Sequence, residues 1–436
     1  MLLRVIFKNF LSFDDEVQFD MFPNPKRKHL PNHVYFVQNK VNVLKMTAFY
    51  GANGAGKSNF VHGLHFIKEF VTNKEYLNAD NIDRFFFTLK ENAFNSPIEF
   101  DIEFSTERKS YIYSAEIERS GVKSETLYIS GLGDTSNVIV FQRNYNSIKF
   151  SQNPSKDILR LTEHYIDSKP FASVMSLNSN DLTLLNDKNI VDAQRWINDG
   201  LEVVGTHSII PGLIELYDKD KELTEFAAKL FNNIGLGIGD VSVKTDNFDE
   251  WAVNNPKDAM QLEHLKGIKT GAFSKIVDNK ITHLCVVDKG IRKICQLMFK
   301  QFGKDGYHKD MNIEAQSDGT VRILTIIPAL FLAIHKNKTV VVDEIDNSIH
   351  PYLIREIVRY FSKQKTTGQL LFTTHQTCLL NKDFISDDEV WFVDKKDGDS
   401  RMYSLNDFKE HRTLKIENGY LEGRYGAIPF IGDFDL

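Results

Sequence analysis

A chain of 436 residues can form one large α/β domain with an insertion, or two domains, and an apolar fraction of 42% is ample for a core. The formal net charge of −6 writes no strongly basic surface into the composition, which argues against generic coating of DNA. Cys285, Cys295 and Cys378 match no zinc spacing and give no disulfide framework; with no signal peptide and no apolar run of 18 residues, a cytoplasmic chain without a membrane partner is expected.

Residues 46–50 form an apolar stretch that runs into Gly51-Ala52-Asn53-Gly54-Ala55-Gly56-Lys57-Ser58, a complete Gly-x-x-x-x-Gly-Lys-Ser phosphate loop. Chance assembles that pattern in roughly a few per cent of chains this long. Its glycines let successive N–H groups turn inward as an anion nest, and the next helix adds its dipole. Lys57 can reach the β- and γ-phosphates, and the Ser58 hydroxyl can ligate Mg²⁺. Phe60, Leu64, Ile67 and Val71 then recur at helical spacing.

Alternation over residues 98–104 and 111–117, with turn residues between, predicts a hairpin of half-buried strands; further strands are expected over 126–129 and 138–141. Residues 180–310 behave differently. Leu223, Phe226, Ala227, Leu230 and Phe231 give helix periodicity over 222–234, broken by Gly235, Gly237 and Gly239. Short strands fit 241–244 and 281–287, and the absence of sustained heptads rules out a long coiled-coil arm. A compact insertion is expected.

Ser317-Asp318-Gly319-Thr320 opens an apolar helix over 321–334, and a short Ser-x-Gly turn at a helix start is again an anion site. Thr339-Val340-Val341-Val342-Asp343-Glu344 reads as a central strand buried on both faces and ending in two carboxylates. Asp343 there would hold Mg²⁺ through water, and Glu344 would orient and deprotonate the attacking water. Pro351 opens another helix, carrying Ile354, Ile357, Val358 and Phe361 on one face. Residues 369–373 read as a strand with His375 just past its end, placed to touch a γ-phosphate. The acidic pieces Asp387-Asp388-Glu389, Asp397-x-Asp399 and Asp433-Phe434-Asp435 read as solvated turns, and the basic run Pro25-Lys26-Arg27-Lys28-His29 as an exposed loop.

That order resembles the ABC-type ATPase head of SMC-like proteins. Residues 51–58 stand as its Walker A, Ser317-Asp318-Gly319 as its signature, 340–344 as its Walker B and His375 as its switch histidine. The resemblance implies an α/β fold, a P-loop mixed sheet with an antiparallel β subdomain, carrying a compact, mostly helical insertion. Lobe I would span 1–178, a helical or mixed insertion 179–310, and lobe II 311–436. ATP would be held by Asn53, Gly54, Ala55, Gly56, Lys57, Ser58 and Asn59, with Ser58 and Asp343 on Mg²⁺ and Glu344, His375 and Lys57 catalytic. In such heads two subunits sandwich two ATP molecules, so Ser317, Asp318 and Gly319 would act across the interface, helped by Asp346 and Asn347 of the D-loop. Lys8, Asn9, Phe10 and Ser12 would border adenine and ribose. For the Q-loop glutamine the sequence offers only Gln142.

A narrower resemblance is to the ABC-type (SMC/OLD-like) "AAA family" ATPases of bacterial anti-phage defence, such as the ATPase subunits of PARIS, Septu and abortive-infection systems. It is carried by Phe7-Lys8-Asn9-Phe10-Leu11-Ser12-Phe13, by the run from Asp343-Glu344-Ile345-Asp346-Asn347 to His350-Pro351, and by Tyr420-Leu421-Glu422-Gly423-Arg424-Tyr425-Gly426-Ala427-Ile428-Pro429. It implies a slow ATPase acting as a homo-oligomer, dimer-based or larger, that governs a separate Toprim- or HNH-type nuclease on sensing a phage-encoded protein or nucleic acid. The alternative is an SMC-like DNA-repair or DNA-structure ATPase, which salt-sensitive stimulation of turnover by DNA would reveal. A transporter motor is disfavoured by the D-loop Ile345-Asp346-Asn347-Ser348.

Overall fold

The computed structural model describes the chain except residues 27–29, 39, 153, 179–186, 207–212, 256–258, 269–272, 279–280, 289, 409–414 and 430–436. Most of the basic run at 25–29 and the acidic piece at 433–435 therefore lie outside the described residues. The chain divides into two units: Met1–Thr206 with Leu332–Asp346 and Ile354–Leu436, and His207–Phe331 with Asn347–Leu353.

In the first unit, five parallel strands run in the order Leu201–Val204, Thr339–Val342, Gln369–Thr373, Met46–Tyr50 and Val390–Lys396; Asp399–Ser404 adds an antiparallel edge. The central strands are buried along their whole length, as their unbroken apolar runs require. Parallel alignment brings the strand ends at Tyr50, Val204, Val342 and Thr373 to one edge, where α/β sheets place their ligands. The Leu201–Val204 strand pairs in register with Thr339–Val342, so residues expected in the insertion belong to this sheet.

A second, antiparallel sheet of seven strands contains the predicted hairpin, Ile98–Ser105 against Ser110–Glu118, followed by Gly121–Ile129 and Val138–Asn144. The helix Lys57–Thr72 connects the two layers. It buries Phe60 against Phe49 of the P-loop strand and Phe7 of the antiparallel sheet, while Phe66 and Phe70 meet Phe100. Gly63 is required by this packing, since a Cβ there would lie 2.4 Å from the Phe7 ring. Each buried phenylalanine contributes roughly 1.5–3 kcal/mol, which explains the phenylalanine-rich composition without any special role.

The second unit is mixed rather than mainly helical. Strands Ile238–Asn247, Ile291–Phe302, Ile281–Asp288 and Phe273–Asp278 form an antiparallel sheet, with His308–Asn312 added to the second of them. The helix Lys221–Ile234 is capped by Asp220, whose carboxylate accepts from Leu223 N, and ends on Gly235 at φ 71°. Phe248, Trp251, Leu265, Cys285 and Ile294 make a small core. Cys285 and Cys295 are buried free thiols, and burial pushes that of Cys285 up to about 11.

The helix Asp318–His335 is long and apolar enough to cross a membrane by length and composition, yet 67% of it is buried within the protein. Pro328 removes the N–H that would serve the Leu324 carbonyl one turn earlier, and the buried Tyr217 hydroxyl donates to that carbonyl instead at 3.5 Å.

Candidate nucleotide site

The phosphate loop follows the buried Met46–Tyr50 strand and needs its glycines for two separate reasons. Gly54 (φ 75°) and Gly56 (φ 116°) adopt backbone conformations that L side chains rarely take. At Gly51 a Cβ would lie 2.2 Å from the Val393 carbonyl oxygen, a backbone atom with no room to yield. Gly56 begins the Lys57–Thr72 helix without a side-chain cap and with no acidic residue in the first turn, so no side chain of its own occupies the N–H groups with which a helix start can bind an anion. Asn53 and Gly54 are exposed; Ser58 and Asn59 are half-buried on the first turn.

The Lys57 ammonium folds back onto its own loop, donating to Gly51 O at 2.8 Å and Ala52 O at 3.1 Å. Burial lowers its pKa to about 8, against the opposing charges of Asp343, Glu344 and Asp346. A bound triphosphate favours the protonated amine and raises that pKa, so binding takes up a proton once the pH exceeds about 8. ATP affinity is therefore expected to fall by up to about tenfold per pH unit above that point and to be insensitive to this group well below it. Calorimetry near pH ~9 in buffers of different ionisation enthalpy should register the uptake. Its absence would separate Lys57 from the phosphates.

At the end of the Thr339–Val342 strand the Asp343 carboxylate is buried between two hydroxyls. Thr206 Oγ1 donates to Oδ2 at 2.8 Å and Thr373 Oγ1 to Oδ1 at 2.6 Å. Glu344 follows in a left-handed backbone conformation (φ 45°), its N–H donating to Thr373 Oγ1 at 2.6 Å, and Ile345 N–H donates to Thr373 O. A glutamate gains nothing conformationally from φ > 0, and such strain collects at functional positions. His375 stands two residues past Thr373, its N–H directed at Asp346 Oδ2 at 3.5 Å. Desolvation first, then the Lys57 charge, hold its imidazole below the ordinary histidine range. It is thus neutral near pH ~7 and able to donate or accept. Lys57, Asp343, Glu344, Asp346 and His375 all lie within electrostatic reach of one another.

Among the described residues no group of three or more His, Cys, Asp or Glu side chains could hold a metal ion by itself. A single buried carboxylate beside a phosphate loop fits a Mg²⁺ that would arrive on a nucleotide, with Ser58 and Asp343 as the residues that would hold it.

In the second unit Ser317 caps the Asp318–His335 helix, its Oγ accepting from Thr320 N at 3.2 Å, and both Ser317 and Asp318 are exposed. Gly319 packs on the D-loop: a Cβ would lie 2.6 Å from Ser348 O, next to half-buried Asn347. The 317–319 turn therefore approaches the Ser348 carbonyl too closely for any side chain at position 319.

Other expectations need correction. Asn9 and Phe10 are each 1% exposed. The Asn9 amide donates to Ser96 O (2.8 Å) and Pro97 O (3.2 Å), and Phe10 packs on Phe7 and Phe66. Both hold the N-terminal turn in place, and neither can border a base or ribose without unpacking that turn. Lys8 pairs with Glu99. Gln142 lies within the antiparallel sheet, between Thr126 and Lys149. Of the described acidic pieces, Asp387-Asp388-Glu389 is not a solvated turn, whereas Asp397 is exposed in a turn as expected, with Asp399 half-buried behind it. Glu389 is fully buried against His33 Nδ1 at 2.7 Å, Asp388 accepts from Asn24 N, and Asp399 accepts from Asp14 N.

Three residues without a sequence signal complete the site. Thr206 and Thr373 hold Asp343, and Ser400 donates to Ala55 O at 2.6 Å while its Oγ lies 2.8 Å from Ser12 Oγ, from which it accepts.

A phosphate loop, a strand-end Asp-Glu pair and a histidine past the neighbouring strand define a P-loop nucleoside-triphosphatase site. The chain belongs to the family described as "AAA domain, putative AbiEii toxin, Type IV TA system", which matches residues 46–381. No curated protein matches it. Among solved structures it is similar to an Smc head bound to the C-winged helix domain of ScpA, at 14% identity over 96% of this chain and 99% of that one, TM-score 0.48. It is also similar to the SMC head domain from Thermotoga maritima, at 14% identity over 92% and 98%, TM-score 0.41. A third is the Smc head with an extended coiled coil bound to the C-terminal domain of ScpA, derived from Pyrococcus furiosus, at 13% identity over 97% and 98%, TM-score 0.43.

Proposed function

We propose that this protein is a cytoplasmic ATP-hydrolysing switch that assembles through ATP held between two copies, and that its nucleotide state governs a separate nuclease or toxin in anti-phage defence. The reading is carried by one observation: the chain holds a phosphate loop with two strand-end carboxylates and also a separate Ser-Asp-Gly helix start, the two parts that a pocket shared between copies would need. One half would be the phosphate loop with Asp343 and Glu344, and the other the Ser317-Asp318-Gly319 turn, where Ser317 and Asp318 are exposed at the start of the Asp318–His335 helix. In hydrolysis, water attacks the γ-phosphorus and the bond to the β–γ bridging oxygen breaks, leaving ADP and phosphate. Glu344 receives the proton lost by the water, while Lys57 and the loop N–H groups balance phosphate charge. Bound Mg²⁺ would supply further charge neutralisation, held through Ser58 and Asp343. His375 senses the γ-phosphate, and Ser317 and Gly319 of one copy close the pocket of the other, with Asp346 and Asn347 nearby. The family description's AbiEii toxin supports the defence context. The effector is read as a Toprim- or HNH-type nuclease, and the trigger as a phage protein or nucleic acid.

Complementation tests the shared pocket. Lys57→Ala removes a copy's own phosphate contact, and Ser317→Arg blocks its contribution to a partner. Each variant alone is expected to be silent, and an equimolar mixture to regain turnover, because a mixed pair forms one intact pocket. A mixture as silent as its folded components would rule out a pocket built from two copies.

A further inference from the structure

The hydroxyl of Thr373 makes two bonds, and their directions are fixed by chemistry. The carboxylate of Asp343 can only accept and the backbone N–H of Glu344 can only donate. Thr373 Oγ1 therefore gives its proton to Asp343 Oδ1 and receives that of Glu344, each at 2.6 Å. Thr373 is wholly buried, so no solvent can replace it in either bond. The main chain adds a third tie, from Ile345 N to Thr373 O at 3.0 Å.

We propose that Thr373 is the positioning residue that fixes the carboxylates of Asp343 and Glu344 relative to each other, by clamping the Glu344 backbone in its left-handed conformation. This inference deepens the ATPase reading and rests on it for its kinetic consequence. Its structural content stands on the geometry alone. Glu344 at φ 45° is held in a conformation of raised energy and persists only while something over-determines it. One oxygen is placed to do so, and that same oxygen orients the neighbouring carboxylate. His375 follows two residues past the end of the strand that Thr373 closes, so a displacement of His375 reaches the water-activating glutamate through a side chain two residues away.

Thr373→Val keeps the shape of the side chain and removes the hydroxyl, whereas Thr373→Ser keeps the hydroxyl. Hydrogen exchange on the nucleotide-free protein, read in overlapping peptides across residues 343–346, reports the clamp without any need for activity. The Glu344 amide is expected to exchange at least about tenfold faster in Thr373→Val than in wild type, and near the wild-type rate in Thr373→Ser. In turnover, Thr373→Val is expected to lower kcat by about 10–100-fold and to raise the Mg²⁺ needed for half-maximal rate, with little change in KM for ATP; Thr373→Ser should restore most of the loss. Unchanged exchange in Thr373→Val, or an equal deficit in both variants, would overturn the clamp. A wild-type protein that hydrolyses no ATP, yet whose Thr373→Val variant shows the faster exchange, would sink the ATPase reading and leave the clamp standing.

Discussion

Glu344→Gln is expected to abolish turnover while leaving ATP bound, lowering kcat by about 10²–10³-fold. Glutamine fills the same volume and keeps a hydrogen-bonding oxygen, so the left-handed turn and the Thr373 contact to its backbone survive. What disappears is the group that takes the proton from water. Removing one negative charge from the surroundings of Lys57 also lessens repulsion toward a triphosphate, so affinity should hold or rise. Because the nucleotide persists, assemblies closed around it should accumulate: light scattering after sizing should show the variant at higher mass with ATP–Mg²⁺ than with ADP. Adding Ser317→Arg should return it to the smaller species. Wild-type turnover in Glu344→Gln would remove Glu344 from the chemistry, and one mass under all nucleotide conditions would remove ATP as the agent of assembly.

Sequence reasoning located this site where function requires rare residue patterns at fixed spacing. The phosphate loop needs glycine at φ > 0 and a lysine at one offset, so few other sequences would serve. The Asp343 strand shows through because burial on both faces demands consecutive apolar residues ending abruptly in charge. Supporting groups leave no such trace. Thr206, Thr373 and Ser400 are short hydroxyl side chains brought to the site by strand pairing, from positions far apart in the chain. Nothing in the composition of Leu-Glu-Val-Val marks Leu201–Val204 as a strand of the P-loop sheet, because four residues are too few to show a period. Asn9 and Phe10 erred in the opposite direction: the resemblance alone put them at adenine and ribose, yet the turn that carries them is packed inward. The acidic run at Asp387-Asp388-Glu389 likewise hid a buried pair with His33, since a partner 356 residues away cannot be read from local charge. The second unit was legible in its helix and its turn glycines. Its sheet was less so, because strands such as Ile238–Asn247 carry polar residues along an exposed face.

Gly56→Ala should cost both folding stability and nucleotide binding, and the two contributions can be separated. The backbone at Gly56 (φ 116°, ψ 6°) admits a Cβ only with strain of about 1–3 kcal/mol. The new methyl would also lie 2.4 Å from Ser400 Oγ, 2.9 Å from Ser400 Cβ and 2.8 Å from Ser12 Oγ. Ser400 cannot swing aside freely, because its hydroxyl is bonded to Ala55 O and Ser12 Oγ. Overpacking of this kind costs a further ~1–3 kcal/mol. Denaturant titration should therefore show a loss of several kcal/mol, and ATP affinity should fall at least about tenfold as the loop N–H groups turn from the phosphates. Adding Ser400→Gly to Gly56→Ala removes the collision but not the backbone strain. The double variant should recover part of the stability lost in Gly56→Ala, whereas Ser400→Gly alone should be destabilising, an interaction that a double-mutant cycle measures directly. Gly54 is the internal contrast: at φ 75° with nothing within 4 Å of a built Cβ, it faces only the backbone cost. Gly54→Asn should be nearly neutral for stability, since asparagine tolerates the left-handed region. Equal damage from Gly54→Asn and Gly56→Ala would show that crowding by Ser12 and Ser400 is not what sets the shape of the loop.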